Sequence, residues 1–458
     1  MRKYIGDRAF YKKVFFLMIP IMIQNGITNF VSLLDNFMVG RVGTEVMTGV
    51  ASANQIIFVF NLCIFGAVSG AGIFGAQFFG SGDTKGFRDT FRFKLVCCTL
   101  LTAAAILIFI FQGKNLIGLY LRGEGEAGSA EMSLDFGYSY LLVMLIGLFP
   151  SSVVQCYSST LRESGQTLVP MLSGAAAVCV NMSLNYVLIF GKLGAPALGC
   201  VGAAVATVIA RFVELTIVAA WTHRNKEKNP FIIGAYRTLA VPAGLCKEII
   251  KKGMPLALNE ALWSVGMAAL NFCYSLRSLD VVAANSISST CWNLFSVSFL
   301  AVGAAIGIII GQQLGAGENV AARDTARKLI AFSLMVSVFV GGLYYIAAPF
   351  IPRLYNTTDS VRSLASGLMY VGAFVMPIDA CANACYFTLR SGGKTAVTFL
   401  FDSCFVWCVS VPAAYLLTSL TSLPVTAVFA AVQTISVLKC VFGLILVRRG
   451  VWVKNIVK

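Results

Sequence analysis

The stretch "GAQFFGSGDTKGFRDT" (75–90) returns 235 positions later as "IGQQLGAGENVAARDT" (310–325). At that offset Gln77 falls on Gln312, Gly80 on Gly315, Gly82 on Gly317, Asp83 on Glu318, and Arg88-Asp89-Thr90 on Arg323-Asp324-Thr325. The same offset carries Pro20 in "LMIPIMIQN" onto Pro255 in "KGMPLALNE", and a second pair follows in "TLRESGQT" from Thr160 and "TLRSGGKT" from Thr388. Several coincidences at a fixed offset mark an internal duplication, so the chain reads as two homologous halves.

Each half is too apolar for water. Hydrophobic residues make up 58% of the 458 positions, charged residues only 12%, and mean hydropathy is +0.80; soluble domains carry about 25% charged residues. Apolar runs of about 20 residues, enough to cross a bilayer core as helix, are expected near 14–39, 46–73, 93–112, 137–157, 166–190, 199–221, 248–275, 282–310, 327–351, 366–388, 396–417 and 424–447. These runs are unbroken, whereas barrel strands alternate over about ten residues. The expected fold class is therefore an all-α integral membrane protein of twelve transmembrane helices in two homologous six-helix lobes. Its domains are expected at 1–221, the N-lobe; 222–247, an inter-lobe linker; and 248–458, the C-lobe with a short tail.

Six helices per half is an even number, so the halves enter the membrane from the same side. They form parallel repeats, a plan used by secondary transporters. Most of the 35 Lys and Arg fall in the N-terminal segment, the even-to-odd loops and the C-terminal tail. The positive-inside rule then puts both termini in the cytoplasm, and the net charge of +15 reports topology, not nucleic-acid binding. Within helices, Arg211 and Lys439 are the basic residues expected. The start "MRKYIGDRAFYKK" leads into a helix too long for a signal core, so no cleaved leader is expected. The "GSGD" and "GAGE" turns offer Asp83 and Glu318 as caps for the helices that follow.

The fourteen cysteines lie largely in apolar runs without a CxxC pair and read as small buried hydrophobes. The single histidine, His223, falls in the linker beside Arg224 and Lys226. No GxxxxGK[ST] and no nucleophile–His–acid set occurs, so an enzyme is not expected and no cofactor is called for.

Acids inside helices cost about 2.5–3.5 kcal/mol each on insertion scales. Glu214 has Arg211 three residues before it, and Asp402 has Lys439 as a candidate partner; both pairs read as structural. Asp35 in "VSLLDNFMVG", Glu260 in "NEALW" and Asp379 in "MPIDACANACY" have no basic partner at helical spacing, so an external cation or proton is their expected counter-charge.

Together, "VSLLDNFMVGRVG", "GAQFFGSGD", "TLRESGQT", "GAAVAT" from Gly202, "NEALW" and "TLRSGGKT" resemble the MATE (multidrug and toxic compound extrusion) family of the flippase superfamily that also holds lipid-linked oligosaccharide flippases. The resemblance implies a secondary antiporter exporting cationic amphiphilic drugs in exchange for Na+ or H+. It places a cation site at Asp35, Asn181, Asn185 and Thr207, with Asn185 standing where the family carries an Asp. It assigns further coupling acids to Asp379, by its spacing to Leu389-Arg390, and more loosely to Glu260. Pro20 is expected to let helix 1 bend. Trp263, one turn from Glu260, and Trp292 offer aromatic faces to a drug cation, although packing is the commoner use of such residues. The expected partners are small organic cations and membrane lipids, with no nucleic acid, and the chain is expected to work as a monomer in a bacterial-type inner membrane. The alternative is a lipid or oligosaccharide flippase, which would line its cavity with Arg or Lys for phosphate.

Overall fold

A computed structural model of the chain describes residues 4–121, 127–355 and 357–457. Twelve long helices follow one another: α1 Arg8–Gly40, α2 Thr44–Ser81, α3 Thr84–Tyr120, α4 Ala127–Glu163, α5 Leu168–Phe190, α6 Gly199–Arg224, α7 Ala243–Ser275, α8 Leu279–Gly315, α9 Asn319–Ala347, α10 Asp359–Ser391, α11 Thr395–Leu420 and α12 Val425–Arg449. Eleven of them are apolar enough over their described residues to cross a membrane. The twelfth, α7, has the length but opens with Lys247, Glu248, Lys251 and Lys252. Most helices outrun their apolar cores. The run expected at 93–112 lies inside a helix spanning Thr84–Tyr120, because the charged flanks go on satisfying their backbone groups by helical bonding.

Proline interrupts four helices: α1 at Pro20, α4 at Pro150, α7 at Pro255 and α10 at Pro377. These are the first and fourth members of each half, so the duplication also repeats the positions where the backbone ladder loses a donor. Helix α11 is irregular in another way. It widens into π-helical turns over Leu400–Cys404 and Val406–Ser410 before Pro412. Such turns insert a residue and recur at functional positions.

The chain divides into two compact units: Ile23–Gly75 with Asp83–Ile250, and Lys251–Lys458 with Met1–Met22 and Ala76–Gly82. In the first, α6 packs on α4 and α5, and α3 packs on α4. The approach of α2 to α4 depends on Gly49 and Gly137, where a Cβ would meet backbone of the other helix at 2.2 and 2.6 Å. The segment after α6 is tied down by α3. Arg92 donates to the carbonyls of Gly234 (2.8 Å) and Ala235 (2.9 Å), Arg88 to that of Phe231 (3.2 Å), and the buried Phe231 ring packs on Phe87 and Phe91.

In the second unit α10 packs on α8, α9 and α12. Val14, Leu17, Met18 and Ile21 of α1 are buried with Ala305, Ile306, Ile309 and Ile310 of α8 and with Trp452 of the tail. Here the repeated glycines find a use that turn chemistry alone does not explain. A Cβ on Gly80 would stand 1.9 Å from the Gln312 carbonyl oxygen, and one on Gly315 would stand 1.9 Å from the Gln77 carbonyl oxygen. The two copies of the motif therefore lie backbone against backbone. Gly82 and Gly317 make the turns that follow, with φ of 75° and 83°. The Gln77 side chain bonds Ser391 O (2.9 Å) and accepts from Ile456 N (2.8 Å), fixing the tail.

Three expectations need correction. Asp83 caps α3 by accepting from Gly86 N at 2.9 Å, but Glu318 makes no side-chain cap bond, and only its carbonyl receives Ala322 N. His223 lies in the last turn of α6, not in a loop. Basic residues within helices also include Lys94, Arg162 and Arg390 besides Arg211 and Lys439, because α3, α4 and α10 extend past their apolar cores.

Candidate functional site

The first unit brings together the residues of the expected cation site. Asn185 Nδ2 donates to Asp35 Oδ1 at 2.6 Å and to Asn181 Oδ1 at 3.1 Å. Asn181 Nδ2 donates to Thr207 Oγ1 at 3.1 Å, and the Thr207 hydroxyl donates to Ala203 O at 3.0 Å. Helical spacing explains the arrangement: Asn181 and Asn185 are one turn apart on α5, and both are buried where α5 packs on α6. The Asn185 Oδ1 atom is buried with no hydrogen-bond partner. An orphaned carbonyl oxygen beside a carboxylate is costly, and it is the kind of atom a hard cation would satisfy. Tyr140, buried nearby, donates to Asn54 Oδ1 at 3.4 Å, and its hydroxyl is within the electrostatic reach of Asp35.

Asp35 has no basic neighbour in sequence, yet Arg211 of α6 acts on it through space. Arg211 also holds Glu214 at 2.9 Å, as its spacing predicts. The same holds for the other two acids expected to stand alone, because Arg390 acts on Glu260 and Lys439 on Asp379. Each acid thus faces a basic group from a different helix, or from a distant turn, which no local spacing rule can see.

In the second unit the polar interior is built around Asp402, in the π-helical part of α11. Lys439 Nζ donates to its Oδ1, and Asn259 Nδ2 donates to its Oδ2 at 3.0 Å. The Asn259 carbonyl groups accept from Ser403: Oγ reaches the backbone O at 2.7 Å and Oδ1 at 2.8 Å. Glu260 follows Asn259 on α7, and the fields of Asp402 and Lys439 both reach Asp379. Trp263 is 42% exposed and so is presented outward, whereas Trp292 packs edge-on against Phe299 and Tyr344.

The sequence reading missed a further set of buried ions. Lys94 is fully buried, with Nζ at 2.5 and 2.7 Å from the two Glu163 oxygens and at 3.1 Å from the hydroxyls of Ser159 and Thr160. Gly72 and Gly75 make room for that carboxylate, since a Cβ at Gly75 would meet it at 2.0 Å. Arg162, in the repeated "TLR", donates to Gln24 Oε1 at 2.6 Å and lies within reach of the Glu214 and Glu163 charges. The repeat register could have exposed these residues. Gln24 maps onto Asn259 at offset 235, while Arg162 maps onto Arg390 and Gly174 onto Asp402 at offset 228. Among the described residues no group of three or more His, Cys, Asp or Glu is placed to hold a metal ion; the Asp35 site has a single carboxylate and otherwise neutral oxygens.

Two six-helix repeats with carboxylates held inside the apolar bundle define a membrane transporter, not an enzyme. The MatE family model matches residues 20–187 and 255–416, and the chain belongs to that family. It is 24% identical over 451 residues to the probable multidrug resistance protein NorM of Thermotoga maritima, covering 97% of this chain and 94% of that one. The probable multidrug resistance protein NorM of Bacillus subtilis is 24% identical over 431 residues, 92% of each chain. Among solved structures, an outward-facing multidrug resistance MATE transporter of the MOP superfamily superposes with a TM-score of 0.85 at 19% identity, over 98% of this chain and 97% of that one. A MOP superfamily transporter from Pyrococcus furiosus, described as having a binding pocket of reversed polarity, gives 0.86 at 18% identity over 98% and 97%.

Proposed function

We propose that the chain is a secondary antiporter that exports cationic, amphiphilic drugs or toxic organic compounds in exchange for Na+ or H+ by alternating access, as a monomer in the inner membrane with both termini cytoplasmic. The observation that carries this reading is the Asp35 site: a carboxylate, two amides and a hydroxyl joined in one buried chain, with one amide oxygen unsatisfied. A cation entering there gains the Asp35 charge and the orphaned Asn185 oxygen, and it displaces the Asn185–Asp35 hydrogen bond. That exchange of partners lets occupancy be felt in α1, α5 and α6 together. One elementary charge moving across 100 mV releases about 2.3 kcal/mol, enough to drive a substrate uphill by roughly fiftyfold.

The curated relatives named as multidrug resistance proteins support the substrate class. The flippase alternative needs basic groups free for phosphate. Here Lys94, Arg211 and Lys439 are each bound to a carboxylate, and that favours the antiporter.

The test is efflux of a fluorescent organic cation from proteoliposomes under separately imposed Na+ and proton gradients. Export driven by either gradient and lost in Asp35→Asn supports the reading. Equal transport with no gradient, or an unimpaired Asp35→Asn variant, overturns it.

A further inference from the structure

The acids of the second unit already have a cation among them. Lys439 of α12 reaches across to Asp402 of α11, and its charge also acts on Asp379 of α10. The groups around that ammonium are those a small monovalent ion would use. Asp402 supplies a carboxylate, Asp379 a second one that makes no hydrogen bond among the described residues, and Asn259 and Ser403 supply neutral oxygens. Asn259 is held by Ser403 so that its amide N–H faces Asp402 Oδ2, which leaves Oδ1 to the lysine. The π-helical turn puts Asp402 and Ser403, adjacent in sequence, on the same polar network. The pair is not sealed, since the side chains of Lys439 and Asp402 keep 18% and 15% of their exposure. Water or a solute ion could therefore take the place of the ammonium if it were absent.

We infer that Lys439 is the resident cation of this site: its tethered ammonium stands where Asp402, Asp379, Asn259 and Ser403 would otherwise hold an exchangeable Na+. A lysine ammonium is a compact point charge on a flexible stem, and its covalent tether gives it an effective concentration that free Na+ does not match. The inference rests on the antiport reading and sharpens it. The coupling ion is taken at Asp35 alone, and Glu260 and Asp379 act in transport through the fixed charges of Arg390 and Lys439.

The test uses equilibrium binding of radiolabelled Na+ to the purified full-length protein, in an Asp35→Asn background that silences the first site. Asp35→Asn alone is expected to show no saturable Na+ binding. Adding Lys439→Gln should create it, with affinity at least about tenfold above background, and adding Asp402→Asn should abolish it again. Lys439→Arg, which keeps a tethered charge, should create none. No gain in a folded Lys439→Gln variant overturns the inference. Should that variant not fold, residual Na+ binding by Asp35→Asn that disappears on adding Asp379→Asn overturns it equally. Failure of gradient-driven export by the wild type would sink the antiporter reading and leave these binding outcomes readable.

Discussion

Asn185 is the residue on which the Asp35 site turns. Its amide nitrogen is shared between Asp35 and Asn181 while its oxygen has no partner, so the side chain holds the acid in place yet cannot neutralise it. Asn185→Asp adds a second negative charge next to the first. Two unit charges about 4 Å apart at a dielectric of 20 interact by about 4 kcal/mol, part of which is lost to mutual repulsion when the site is empty. Na+ affinity is expected to rise by about tenfold, measured by equilibrium binding; unchanged affinity would mean that Na+ does not bind there. Lys94 and Glu163 are the contrasting case, a buried pair whose function is to hold α3 on α4. Lys94→Met strands the carboxylate and is expected to cost about 3–5 kcal/mol, whereas Lys94→Met with Glu163→Gln should recover most of the loss. Apparent melting temperatures of the purified variants decide this, and equal loss in both would show that packing, not charge, is at stake. Asp35, Asn181, Asn185 and Thr207 could be brought together from sequence by resemblance alone. Lys94 could not, because a lysine near a helix start reads as solvated until the neighbouring helix is seen to cover it.

At the scale of the helix, the repeated "GAQFFGSGD" and "IGQQLGAGE" carried the fold, but only half of their meaning was legible. Glycine followed by an acid announces a turn, and Gly82 and Gly317 do adopt the positive φ that turn needs. Gly80 and Gly315 look the same in sequence, yet their reason is the opposing backbone of α8 and α2, at distances no side chain tolerates. Gly80→Ala and Gly315→Ala should each push the helix ends apart, lower the apparent melting temperature and reduce the yield of folded protein. Gly118→Ala is the control, since a Cβ there meets nothing within 4 Å and alanine favours helix by about 1 kcal/mol. Comparable loss in the control would remove close approach as the explanation. The π-helical turns of α11 were not foreseeable either. They depend on a ladder that shifts register before Pro412, and apolar periodicity is blind to that shift.

The duplication has a consequence for the molecule as a whole, because α1 is not confined to one half. Residues up to Met22 cluster with the unit that contains α8 to α12, and residues from Ile23 cluster with the unit that contains α3 to α6. The change falls two residues after Pro20, where the helix lacks one backbone donor and can bend at little cost. Val14, Leu17, Met18 and Ile21 are buried on the near side of that proline, while Asp35 lies five helical residues beyond the next four turns and bonds Asn185 of α5. One continuous helix is thus anchored by apolar packing at one end and by the candidate cation site at the other, with its weakest point at the boundary. A change in the partners of Asp35 can then be carried along α1 as a bend, instead of being absorbed where it starts. Pro20→Ala restores the missing hydrogen bond and stiffens that point, so Na+ binding should remain near the wild-type level while the rate of gradient-driven efflux falls by about tenfold or more, as expected when a conformational step and not ligand affinity is affected. Binding and efflux measured on the same reconstituted protein separate the two. Wild-type efflux from Pro20→Ala would show that α1 need not bend, and a parallel loss of binding would show that Pro20 shapes the Asp35 site itself.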